Sequence, residues 1–261
     1  MKKRIFMANK LDVKGKTINQ IARWYFENEL YVNRRYQRKL VWSIEEKKLY
    51  IDSLLRNYPT PSIMLNTFQE EKKDGTKYER NEIVDGVQRL DAILSFITND
   101  FSIEFKNNKG YFDMSVIPSA QLKVSNKILI QKQPLLPVKL CLDFADCEIP
   151  VVSTGQEDDK IKEIFCRINS SGKKIPAHDL RQASSEDPFA DLVRRCAIRI
   201  RGDYTYYDSI SMEDMRKISI SGIGLEYGIS HKDIFWRRHN IITYENLRRS
   251  RDEEIVASLL N

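Results

Sequence analysis

The sequence predicts an α+β protein, with an α/β part over residues 1–150 and a mostly helical part over residues 151–261. Three observations carry that expectation. Two capped amphipathic helical patterns occur before residue 60. Short β-type runs flank an Asp-Gly turn between residues 62 and 84. From residue 156 onward the apolar spacing becomes helical. At 261 residues, with 41% hydrophobic and 31% charged residues, the chain has the composition of a globular protein and enough length for one large domain or two small ones.

In residues 17–30, Thr17 and Gln20 have the spacing of a capping box, and Ile18, Ile21, Ala22 and Tyr25 form one helical face. Residues 43–58 repeat the pattern with Ser43, Glu46 and the stripe Ile51, Leu54, Leu55, Tyr58, and Pro59 and Pro61 stop the helix. SIMLNTF (62–68) and KYERNEIV (77–84) read as a hairpin around Asp74-Gly75. Leu90, Ile93, Leu94 and Ile97 mark a helix that ends near Asn99-Asp100. FSIEF (101–105) and LLPVKLCLDF (135–144) read as further strands. DKIKEIFCRI (159–168) is helical, with NSSG (169–172) as its stop, and further helices are expected at 176–183, 187–201, 211–218 and 244–260. A boundary is expected near Pro150, Gly155 and Gln156. The last helical pattern runs to the final residue, which suggests a longer natural polypeptide.

Apolar runs fall short of the ~18 residues of a membrane span, and MKKRIFMANK lacks the apolar core of a signal peptide. A cytoplasmic protein with no membrane partner is expected. Cys141, Cys147, Cys166 and Cys196 form no CxxC pair and have no His at zinc-ligand spacing, so no zinc is expected. The net charge of +6 is uneven: 14 Lys and Arg against 6 Asp and Glu give residues 1–60 a charge of +8. That surplus could serve phosphate or nucleic acid, with Arg34 and Arg35 as DNA contacts and Tyr31, Tyr36 and Trp42 among them, or it could be a solvated basic face.

EIVDGVQRL (82–90) is the most informative stretch. A strand that ends in Asp85-Gly86 and passes into a helix beginning Val87-Gln88-Arg89 places unpartnered backbone N–H groups and the positive end of a helix dipole at one turn. Gly86 allows close approach of an anion, Gln88 adds donors, and Arg89 adds a planar fork suited to phosphate oxygens. Asp85 would cap the helix or hold a magnesium ion. The plainer alternative is an Asp N-cap with Arg89 in a surface salt bridge. Two further stretches have a similar character. RRYQRKLVW (34–42) sets Gln37 and Arg38 beside aromatic rings, although Tyr36 and Trp42 also suit a core. FCRINSSGKKI (165–175) ends a helix at Asn169 to Gly172 before two lysines, which a simple C-cap would also explain.

Together, in this order, YQRKLVWS (36–43), VDGVQRLDAI (84–93) and FCRINSSGKKI (165–175) resemble the GmrSD-type restriction endonuclease N-terminal domain family, whose hallmark is DGQQR. Weaker echoes continue at 181–183, 200–203, 219–229, 233–236 and 249–260. The resemblance implies a ParB/sulfiredoxin-like α/β part completed by a helical part. It also implies an NTP-binding and NTP-hydrolysing domain of a bacterial restriction or phage-defence system, using GTP or ATP with Mg2+ and coupled to DNA and to a nuclease domain or partner subunit. Carried onto this chain, the nucleotide-binding residues are Gln37, Arg38, Asp85, Gly86, Gln88, Arg89, Asn169 and Gly172. Asp85, Gln88 and Arg89 take the catalytic roles, with Asp85 on the metal. Val87 replaces the first Gln of the hallmark, which puts hydrolysis in question if that Gln positions water. No HNH motif is present. Two other readings stand beside this one: a non-catalytic module that reads modified DNA, and nuclease chemistry on the same fold. The latter needs clustered carboxylates, and the one acidic run, Glu157 to Asp159, reads instead as a helix N-terminus.

Overall fold

The computed structural model describes residues 4–6, 11–34, 37, 39–71, 75–170, 188–203, 208–221, 228–248 and 250–260. Its fold is α+β and is built on one mixed sheet of seven strands: β1 (Arg4–Phe6), β2 (Asp12–Thr17), β3 (Leu30–Asn33), β4 (Ile63–Glu71), β5 (Lys77–Asp85), β8 (Glu148–Thr154) and β9 (Ser209–Ser211). The order is β2-β8-β4-β5-β3-β9, with β1 against the far end of β4. The β3–β5 and β4–β8 pairs are parallel and the others antiparallel. Strands from both sides of residue 150 share this sheet: β8 lies between β2 and β4, and β9 extends it beyond β3, while β6 (Ile103–Phe105) and β7 (Asn108–Gly110) pair separately ahead of the short helix α4 (Pro118–Ser125).

Helices cover both faces. On one lie α1 (Ile18–Phe26), α2 (Ile44–Leu55), α3 (Val87–Ile97) and α5 (Val138–Ala145), which bury Ile21, Ile51, Leu90, Ile93 and Phe144 against Ile63, Leu65 and Ile83. Each such side chain is worth about 1.5–3 kcal/mol when removed from water. Phe96, Phe101, Phe112 and Phe144 extend this core as an aromatic group with ring centroids 5.1–5.9 Å apart. On the other face, α6 (Asp158–Ser170) lays Ile161 and Phe165 on Met64, Val84 and Val152. A second core forms from α7 (Pro188–Ile200), α9 (Phe235–Arg238), α10 (Tyr244–Arg248) and α11 (Arg251–Leu260). It is built on Val193, Ala197, Trp236, Leu247 and Val256.

Both predicted capping boxes are present. Thr17 Oγ1 accepts from the Gln20 N–H at 3.2 Å, and Ser43 Oγ accepts from the Glu46 N–H at 3.2 Å; in each case the Gln or Glu side chain returns to the cap residue's own N–H. The second helix stops at Leu55, so Tyr58 of the predicted stripe stands exposed. The β4–β5 hairpin forms as expected.

One assignment is corrected. Residues 138–145, read as part of a strand, form α5. Cys141, Phe144 and Ala145 turn inward while Val138 and Leu142 are 52% and 45% exposed, a spacing only a helix produces. The strand of this region is β8, which follows it and buries Ile149 and Val151. The region predicted as 244–260 is two helices, divided at Ser250, which has a positive φ of 57°. The helix expected at 176–183 lies outside the described residues.

Candidate functional site

The site begins with an irregularity in the sheet. The β4–β5 register shifts between Met64 and Leu65, so that Met64 pairs with Asp85 while Leu65 pairs with Ile83, and Val84 is the extra residue. Such a bulge bends a strand and re-aims its end. Gln37 secures it: its buried Nε2 donates to the carbonyls of Ile83 at 3.1 Å and Val84 at 2.6 Å. Gly86 then turns the chain into α3 with φ +98°. A Cβ there would meet Ile63 Cγ1 at 3.1 Å, so both the backbone conformation and the space call for glycine.

No side chain caps α3, and its first turn holds no acid. The N–H groups of its opening turn therefore have no side-chain acceptor among the described residues, at the positive end of the helix dipole. Of the two roles open to Asp85, a helix cap or a magnesium ligand, the cap does not form. Asp85 Oδ2 instead accepts from Arg89 Nη2 at 2.5 Å, and Arg89 Nη1 donates to the carbonyls of Pro61 at 2.6 Å and Ser62 at 3.0 Å. The Arg89 side chain is 12% exposed and that of Asp85 32%, so the pair sits at the surface end of the turn. Arg89 also lies close enough to Tyr50 to oppose the rise that burial causes in its phenol pKa.

Gln88 faces inward. Its Oε1 accepts from the N–H groups of Val41 at 2.9 Å and Trp42 at 3.1 Å, and its Nε2 donates to Lys39 O at 2.9 Å. The carboxamide thus binds the 39–42 segment to the start of α3. Val87, the departure from the hallmark, is 5% exposed in the core, so only its backbone faces the turn. Trp42 packs against the core with its ring edge-on to Tyr50 at 5.7 Å, the plainer of its two readings.

The structure thus brings Gln37, Asp85, Gly86, Gln88 and Arg89 together around one turn. Arg35, Tyr36, Arg38 and Gly172, and the side chain of Asn169, lie outside the described residues. Among the described residues no group of three or more His, Cys, Asp or Glu side chains is placed to hold a metal, and no helix is long and apolar enough to cross a membrane.

Two described cations of the basic segment, Arg34 and Lys39, do not stand on an open surface. Arg34 was expected to face DNA. Its side chain is 9% exposed and is ion-paired with Asp203, because the β3–β9 edge brings residue 203 against it. Burial lowers its pKa, opposed by Asp203. Lys39 is paired with Asp252 at 3.0 Å and Glu253 at 3.7 Å, and Arg201 joins both acids at 2.8 Å. The ring of Tyr31 is covered by the Arg80 guanidinium, 3.5 Å from its centroid.

Sequence reasoning missed the support beneath α3. Lys47, fully buried, reaches Asp91 Oδ2 at 2.5 Å and Ser95 Oγ at 3.0 Å. Arg216 joins them from α8 (Met212–Ile218), bonding Asp100 and donating to Tyr25 Oη at 3.0 Å. The signal was available: an Asp inside the apolar run LDAILSFI calls for a buried partner.

No curated protein matches the chain. The family model described as "GmrSD restriction endonuclease, N-terminal domain" matches residues 18–185, a span that contains all three sequence motifs and the whole β5–α3 turn. The chain therefore belongs to the GmrSD restriction endonuclease N-terminal domain family.

Proposed function

We propose that this chain is the nucleotide-binding domain of a restriction-type defence protein, with a ParB/sulfiredoxin-like α/β part. In this reading it receives the phosphates of a nucleoside triphosphate, GTP or ATP, at the opening turn of α3. The observation that carries the reading is the uncapped, glycine-initiated helix with the Asp85–Arg89 pair beside it. Backbone N–H groups of Val87, Gln88 and Arg89 meet phosphate oxygens in a turn that already favours negative charge. Arg89 exchanges Asp85 for a phosphate oxygen, and Asp85 is released to a metal. A Mg2+ ion fits a single carboxylate, since it usually keeps several waters and takes further ligands from substrate phosphates; when bound it would neutralise phosphate charge.

Gln37 and Gln88 act as braces in this account. Their carboxamides are held on backbone groups, so they fix the turn's shape rather than orient water. With Val87 buried and the Asp85 carboxylate engaged with the metal, any hydrolysis is slow. Arg38, Asn169 and Gly172 complete the nucleotide site on the strength of their motifs. Family membership supports DNA contact, a nuclease domain or partner subunit, and a role in phage defence.

The test is titration calorimetry with ATP and GTP, with and without Mg2+, together with a phosphate-release assay. Arg89→Ala should abolish binding in both conditions, whereas Asp85→Asn should remove only the part that depends on Mg2+. Unchanged affinity in Arg89→Ala would end this reading.

A further inference from the structure

The sheet ends at β2, and among the described residues no strand pairs with the outer side of β2. Leu11 and Val13 stand there 61% and 66% exposed. The β2–β8 ladder fixes which backbone groups point outward. Ile18 N–H donates to Cys147 O at 3.0 Å, so the residues that exchange hydrogen bonds with β8 fall at every second position from there, at Lys16, Lys14 and Asp12. The N–H and C=O groups of Leu11, Val13 and Gly15 therefore point away from β8. Thr17 obeys the same parity: its N–H donates to Gln20 Oε1 at 3.1 Å rather than to β8.

Side chains alternate between the two faces of the strand. Asp12, Lys14 and Lys16 share the α1 face, where the Lys16 ammonium lies 5.5 Å from the centroid of Trp24. Val13 lies on the other face beside Val152, its β8 neighbour, which packs against α6. Lysines ordinarily blunt a free edge of this kind. Here Lys14 Nζ is 2.7 Å from Asp12 Oδ2, with the two side chains 61% and 54% exposed, so the edge presents both signs of charge.

We propose that β2 pairs antiparallel with β2 of a second copy of this chain, about a two-fold axis at Val13. The charges select this register. Outward-pointing groups must meet outward-pointing groups, which puts the axis at a residue rather than between two. An axis at Asp12 sets Asp12 against Asp12, and one at Lys14 sets Lys14 against Lys14. An axis at Gly15 sets Lys14 against Lys16. Each places like charges directly opposite, where side chains approach most closely. With the axis at Val13, Asp12 of each copy lies opposite Lys14 of the other, and Val13 meets Val13. Leu11 of each copy lies opposite Gly15 of the other, which has no side chain to obstruct it. Leu11, Val13 and Gly15 exchange about six backbone hydrogen bonds across the axis. The exposed Leu11 and Val13 of both copies gather on the α6 face. A two-fold contact uses the free edge of both copies, so it closes as a dimer and does not extend into a fibre. An overlap of five residues is a small interface, and the pairing is accordingly reversible and sensitive to concentration.

The pairing is independent of nucleotide binding at α3, and sedimentation equilibrium from micromolar to millimolar protein tests it. The mass should rise toward twice the monomer value, and the Val13 and Gly15 amides should gain exchange protection as concentration increases. Val13→Pro removes an outward N–H and no β8 hydrogen bond, so it should weaken dimerisation tenfold or more while the monomer stays folded. Asp12→Lys and Lys14→Asp, at exposed positions, should each weaken self-association tenfold or more, because each sets like charges across the axis. An equimolar mixture of these two variants should dimerise, since every charged pair across the axis then joins opposite signs. A monomer at millimolar concentration would overturn the proposal and leave the edge to a strand of another protein. A dimer indifferent to Val13→Pro, which places the contact elsewhere, or charge variants that stay monomeric when mixed, would overturn it equally.

Discussion

Replacing Gln88 by Leu tests the claim that this residue of the hallmark is a brace. The substitution nearly conserves volume and puts an apolar side chain toward the core, but it removes three hydrogen bonds at once, those to Val41 N, Trp42 N and Lys39 O. At about 1 kcal/mol net for each bond, the loss is about 3 kcal/mol, concentrated where the 39–42 segment meets α3. Chemical denaturation with tryptophan fluorescence should show the global loss. Amide hydrogen exchange should show the Val41 and Trp42 N–H groups losing protection before the β4–β5 pairs do. Gln88→Glu retains an acceptor for both amides but loses the donor to Lys39 O, so it should fall between wild type and Leu. A loss below 0.5 kcal/mol in Gln88→Leu, with unchanged exchange at residues 41 and 42, would refute the brace and restore Gln88 as a group available to ligand.

Three further outcomes follow from the same geometry. Gly86→Ala should cost about 1–2 kcal/mol in equilibrium unfolding, because a Cβ-bearing residue is strained at φ +98° and would press on Ile63. Lys47→Met should cost about 3 kcal/mol, at the low end for a broken buried ion pair, because Arg216 still faces Asp91; the measurement is the denaturant midpoint at constant m-value. Glu46 concerns pH. Burial tends to raise its pKa, but the Ser43 N–H and Arg248 outweigh burial and hold it below the ordinary value of 4.5. A depressed carboxyl stabilises the fold above its unfolded pKa, and that contribution is lost as pH falls below 4.5 through the folded value. Thermal melts between pH 6 and pH 3 should therefore decline less steeply in Glu46→Gln than in wild type, and parallel declines would contradict this.

What the sequence revealed depended on how local the physics was. The capping boxes at Thr17 and Ser43 act over three residues, and both are present with the bonds that their spacing requires. The strand–Gly86–helix turn is similarly contained within a few residues. Residues 138–145 were misread because their apolar run fits either period, and the choice is made by the core around Phe96 and Phe112. The role of Gln88 was hidden because its partners lie 46–49 residues away. Arg34 looked basic and free because Asp203 lies 169 residues further along the chain. Charge counts along a chain record no pairing, so the +8 of residues 1–60 overstated what that segment offers to a polyanion.

The central claim is that an anion is held by the first turn of α3. Backbone amide NMR of the 15N-labelled protein during titration with Mg2+ and a non-hydrolysable GTP or ATP analogue observes that turn directly. The account predicts saturable shifts largest at Gly86, Val87, Gln88 and Arg89, and absent in Arg89→Ala. Shifts confined to other parts of the molecule, or none at millimolar analogue, would contradict it.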